Sequence, residues 1–164
     1  MVMIENFSIP FPTDYLVIFA IFAIASFWAF QGGGTRVASA TLAFPMSLFV
    51  FSKVEQTAFI GEQFKLLSET PYVIMAVFII SFLLMYLLVR SITNDYGGVN
   101  GLVLQSLLLG LAATAMLLAT WHSLPFLTEL WQFSDRVAML FVPEFILGWM
   151  AVSFVLVYIA AQRL

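Results

Sequence analysis

Five apolar runs, each close to the length a helix needs to cross a bilayer, leave this chain few ways to fold: Tyr15 to Phe30, Val37 to Ser52, Tyr72 to Val89, Gly101 to Trp121 and a last run ending at Ala161. A helix rises about 1.5 Å per residue, so roughly 20 apolar residues match the ~30 Å hydrocarbon core. The composition agrees: 63% of residues are hydrophobic and 9% charged, where a soluble domain carries roughly 25% charged residues. The expected fold is an all-α, polytopic membrane helix bundle forming one transmembrane domain over residues 1–164, with spans at about 15–30, 37–52, 72–89, 101–121 and 143–161.

The breaks between runs have readable chemistry. Thr13 and Asp14 supply an N-cap and a first-turn acid for the first span. In Gln31-Gly32-Gly33-Gly34-Thr35-Arg36 the glycines can take the positive φ of a helix C-cap and Thr35 can cap the next helix, which predicts a tight helical hairpin at Gly32, Gly33, Gly34 and Arg36. The missing Walker spacing and lysine argue for a turn there over a phosphate-cradling loop. Thr70-Pro71 is a start signal for the third span, Arg90 ends it, and Ser91 to Asn100 is rich in turn residues. Two stretches, Lys53 to Thr70 and His122 to Arg136, mix charges with Phe and Leu, and the second adds Trp131. Such stretches suit amphipathic segments lying in the membrane interface.

Small residues mark where helices can approach closely in lipid. The second span opens Ala38-Ser39-Ala40-Thr41, and the fourth repeats Ser106, Gly110 and Thr114 every four residues beside Ala115 and Ala119. These positions are the expected helix-packing seams, and Gln105 is expected to seek a partner on a neighbouring helix.

Charge and residue types narrow the function. A net charge of −3 with six scattered Lys and Arg argues against a nucleic-acid face. Cysteine is absent and His122 is the sole histidine, so neither a thiolate nor a two-histidine metal site can be built. Nothing assembles a nucleophile, base and oxyanion donor, so no enzymatic activity, metal or cofactor is expected. The first thirteen residues lack Lys and Arg, which predicts an N-terminus without a cleaved signal peptide. The positive-inside count ties at three against three. Arg36, Arg90 and Arg163 each adjoin a span, while most acids lie at the opposite end; an outside N-terminus and inside C-terminus are therefore expected.

Glu144 stands in the apolar stretch Val137 to Trp149. Pro143-Glu144 suits the first turn of a helix, where Pro needs no donor and Glu meets the positive end of the dipole. That places Glu144 at the membrane boundary. The rival is one helix from Asp135, kinked at Pro143, which puts Glu144 roughly 12 Å deep and makes it, with His122, a candidate polar path.

Asp14-Tyr15 ahead of the first span, Gly32-Gly33-Gly34-Thr35-Arg36 at the hairpin, and Gly97-Gly98-Val99-Asn100-Gly101 leading to Gly110 together resemble the colicin V production protein family of bacterial inner-membrane proteins. The resemblance covers about residues 14 to 121, and the fifth run is extra to the family's usual four. It implies an accessory role in envelope processes such as toxin export or biofilm formation. Residue chemistry and resemblance together predict a non-enzymatic accessory or scaffold protein of the inner membrane, contacting lipid and other membrane proteins or itself. The alternative is a small channel or transporter subunit using Glu144.

Overall fold

A computed structural model of the protein describes residues 13–54, 71–93 and 103–162. The chain is all-α, with no strand among the described residues. Its helices are α1 (Thr13–Trp28), α2 (Gly34–Val54), α3 (Pro71–Thr93), α4 (Val103–Ser123), the short α5 (Pro125–Leu130) and α6 (Asp135–Ala138), and α7 (Pro143–Ala161). Five of these, α1 to α4 and α7, are long and apolar enough to cross a membrane. The Lys53 to Thr70 segment, expected to be interfacial, lies outside the described residues beyond Val54.

Helix α4 is the centre of the bundle. Of its most apolar 18-residue window, 61% is buried inside the protein, against 17% for α1, α3 and α7 and 33% for α2. Such burial requires small side chains on more than one face, and α4 has them: Ser106, Gly110, Ala112, Thr114, Ala115 and Ala119 are all buried. Helix α1 runs antiparallel to α4, with Ile18 packed near Leu118 and Ala119 and Ala29 near Leu109 and Ala112. Helix α2 runs the other way: Val37 joins the cluster at Leu109, and Phe51 joins Leu124 just past the far end of α4. Helix α7 is antiparallel to α4, with Ile146 near the Leu118 end and Ala160 near the Leu109 end.

Helix α3 sits outermost and packs along α2. Phe44 meets Phe82 with ring centroids 4.6 Å apart, Phe51 meets Phe78 edge-on at 5.9 Å, and the Ser39 and Thr93 hydroxyls share a hydrogen bond of 2.8 Å. These three contacts fix an antiparallel pair. Pro45 lies inside α2 and removes one backbone donor. Nearby hydroxyls turn back onto their own helix, Thr41 Oγ1 donating to the Val37 carbonyl and Ser47 Oγ to the Phe44 carbonyl.

The reversal between α1 and α2 differs from the expected capped hairpin. A single wide π-helical turn, Ala29–Gly33, leads straight into α2 at Gly34, whose φ of −54° and ψ of −47° are right-handed helical. Thr35 is therefore the second residue of α2, not its cap, and its carbonyl accepts the Ser39 hydroxyl at 2.7 Å. The chain still turns back here, because Ala29 and Val37 pack on the same part of α4; a straight helix from Thr13 to Val54 would be about 60 Å long. Gly33 permits the close pass: a Cβ there would sit 2.5 Å from the Trp28 carbonyl oxygen and 3.0 Å from the Trp28 ring.

Candidate functional site

The polar candidates gather at the end of the bundle where α1 begins, α4 ends and α7 begins. Pro at position 143 confines the preceding residue to extended geometry, and Val142 has φ −62° and ψ 153°. The chain from Asp135 is therefore not one kinked helix. It forms α6, a 3₁₀ turn over Met139–Phe141 and a break, after which α7 starts at Pro143 with Glu144 in its first turn. Glu144 is exposed on that first turn, and the helix start at Pro143 is the one the Pro143-Glu144 pair anticipates.

His122 occupies the last turn of α4. Its Nδ1 is 2.9 Å from the Leu118 carbonyl, and its ring lies between Phe133, 5.5 Å away, and Phe141, 5.1 Å away. Phe141 stacks in turn on Trp149 at 5.2 Å. The result is a ladder of four rings, Phe133, His122, Phe141 and Trp149, tying α4 to α7 through the segment between them. Glu144 and His122 share this end of the bundle, two residues of chain, Val142 and Pro143, separating Glu144 from the Phe141 ring that covers His122. No hydrogen bond or ion pair joins the two.

A residue read from sequence only as a first-turn acid has a larger part. Asp14 is 6% exposed, and its carboxylate accepts the backbone N–H of Ser134 at 2.6 Å. Ser134 is the residue immediately before α6, so the first spanning helix fixes a segment 120 positions further along the chain. No local pattern reports such a contact. Two tryptophans act similarly: Trp121 Nε1 donates to the Trp131 carbonyl at 3.2 Å, and Trp149 Nε1 to the Leu140 carbonyl at 2.6 Å.

The small residues of α4 form a seam inside the bundle. Gly110 faces Ser26 of α1 so closely that an added Cβ would lie 2.9 Å from the Ser26 Cβ and 3.0 Å from its Cα. Ser106, Thr114, Ala115 and Ala119 are buried, and Ala38 packs against the cluster of Val37 and Leu109. Both seams are filled by this chain's own helices. Gln105 is 4% exposed and its side-chain oxygen has no hydrogen-bond partner, contrary to the expected interhelical bond. The Ser26 hydroxyl is also buried and unpartnered.

Among the described residues, no three His, Cys, Asp or Glu side chains come together as a metal site. The arrangement at this end of the bundle orders backbone: two indole N–H groups and one carboxylate each meet a main-chain group of the connecting segment. Comparison with family models, with curated proteins and with solved structures finds no match to this chain.

Proposed function

We propose that this chain is a non-enzymatic accessory or scaffold component of a bacterial inner membrane, with its N-terminus outside, that contacts other membrane proteins through its outer helices. The observation that carries this reading is the one-sided packing of α3. One flank of that helix is held by α2, while Ile79, Ile80, Leu83, Leu84, Leu87 and Leu88 are 46–59% exposed along the other, and Ala76 is exposed among them. A small residue in an apolar stripe lets another helix come near. With the α2 and α4 seams filled internally, the outer flank of α3 is open to a partner, as are those of α1 and α7. The resemblance to colicin V production proteins supports the envelope setting and an accessory role in export or biofilm formation.

A photocrosslinking residue at Leu84, in native membranes, tests this directly, with Ala119 as a buried control. A discrete protein adduct from position 84 and none from position 119 is expected. Adducts to lipid alone would sink the scaffold reading. The second reading, a transport path at Glu144 and His122, draws on the ring ladder that brings Phe141 onto His122 just ahead of Glu144. Ion flux in liposomes that is lost in Glu144→Gln would move it ahead; flux unchanged by that substitution removes Glu144 from any mechanism.

A further inference from the structure

The segment from Trp131 to Phe141 runs from four non-helical residues, 131–134, into the single turn of α6 and a 3₁₀ turn, and it is packed among the ends of three spanning helices. Val137 is 1% exposed and Phe141 6%, and the two are clustered with Ile18, Leu118, Ala119, Ile146 and Trp149. Ile18 lies five residues inside the start of α1, Leu118 five inside the end of α4 and Trp149 six inside the start of α7. By helical rise, the segment reaches about 8 Å inside the helix ends. The α1 span, Thr13–Gln31, has 19 residues, about 28 Å by the same rise, and so needs its terminal turns to cross the ~30 Å core.

Irregular backbone at that depth is tolerated only where protein satisfies its N–H and C=O groups, since lipid offers none. Here the spanning helices do so with side chains. Asp14 of α1 takes the Ser134 N–H, Trp121 of α4 meets the Trp131 carbonyl, and Trp149 of α7 meets the Leu140 carbonyl. A loop lying in water needs no such provision. Within α6 and the 3₁₀ turn the exposed side chains change from charged to apolar: Asp135 and Arg136 are exposed, then Met139 is 68% and Leu140 53% exposed, before the exposed Glu144 opens α7.

We propose that Trp131 to Phe141 is a re-entrant elbow seated in the lipid leaflet, with Met139 and Leu140 among acyl chains and Asp135 and Arg136 at the headgroup level. Its occupant is lipid, and it stands independently of the scaffold reading. The test uses the full-length chain, which has no cysteine, carrying one spin label at a time in phosphatidylethanolamine and phosphatidylglycerol vesicles. The readout is collision with oxygen against collision with a water-soluble nickel chelate. The Met139→Cys and Leu140→Cys labels sit on exposed side chains, so the fold tolerates them.

The oxygen-to-nickel ratio at positions 139 and 140 is expected to be several-fold above that at 129, and near that of a Leu84→Cys label on the outer flank of α3. Ratios at 139 and 140 equal to that at 129 would overturn the elbow. Immobilised labels that neither reagent reaches would also overturn it, in favour of a protein partner at this site.

Discussion

Gly110 shows how much depends on single atoms in this bundle. The sequence marks it as part of a small-residue seam, but its partner, Ser26, lies 84 positions earlier and carries no signal of its own. Any Cβ at 110 meets the Ser26 side chain and backbone, so Gly110→Ala must push α1 from α4, at a cost of about 1–3 kcal/mol. Gly148 is a built-in control, since a Cβ there meets nothing within 4 Å. Gly148→Ala should be neutral or raise stability slightly, by up to about 1 kcal/mol from helix propensity. Thermal midpoints in mild detergent separate the two, and equal effects would refute the close crossing. Ser26→Gly should recover part of the Gly110→Ala loss. Asp14 is the second critical residue: Asp14→Ala leaves the Ser134 N–H without its acceptor, which should cost about 1–3 kcal/mol. Asp14→Asn keeps an acceptor oxygen and should lose less, and an Asn variant as weak as the Ala variant would discount the hydrogen bond.

At the level of elements, the five long helices were legible because the bilayer dictates their length, and their bounds fall within a few residues of the apolar runs. The break at Val142 was legible for a different reason, the steric restriction proline puts on its predecessor. The turn at Ala29–Gly33 was not. Three consecutive glycines permit several reversals, and sequence cannot choose between a capped loop and a wide helical turn. The elbow was half visible, as an interfacial approach rich in Phe and Trp. Its seating was hidden, because it is set by contacts to Asp14, Trp121 and Trp149 on three other elements. Trp149→Phe keeps a ring against Phe141 and removes only the N–H donated to Leu140. Its expected cost is about 1 kcal/mol, read as a fall in the thermal midpoint, whereas Trp149→Ala also removes the ring and should cost about 3–5 kcal/mol. Matching losses for the two would mean that the ladder of rings contributes nothing.

For the whole molecule, the directions of the five long helices have a consequence that no single helix shows. Helices α1 and α7 run one way and α2 and α4 the other, and α3 runs back along α2, so the five alternate in chain order and every chain reversal falls at one of two ends. Glu129 and Glu144 lie at the end where α1 starts, and Arg36 lies at the other, with Arg90 near the close of α3. Both acids are exposed, as is Arg36, so cysteines at these positions report sidedness without disturbing the core. With the N-terminus outside, Glu129→Cys and Glu144→Cys in intact cells should react with a membrane-impermeant maleimide, and Arg36→Cys only after permeabilisation. The reverse pattern would keep the five-helix fold and invert the orientation, placing Arg36 and Arg90 outside against the positive-inside tendency. Position 129 labelled from one side and 144 from the other would contradict the helix start at Pro143, because the chain would then have to cross between them.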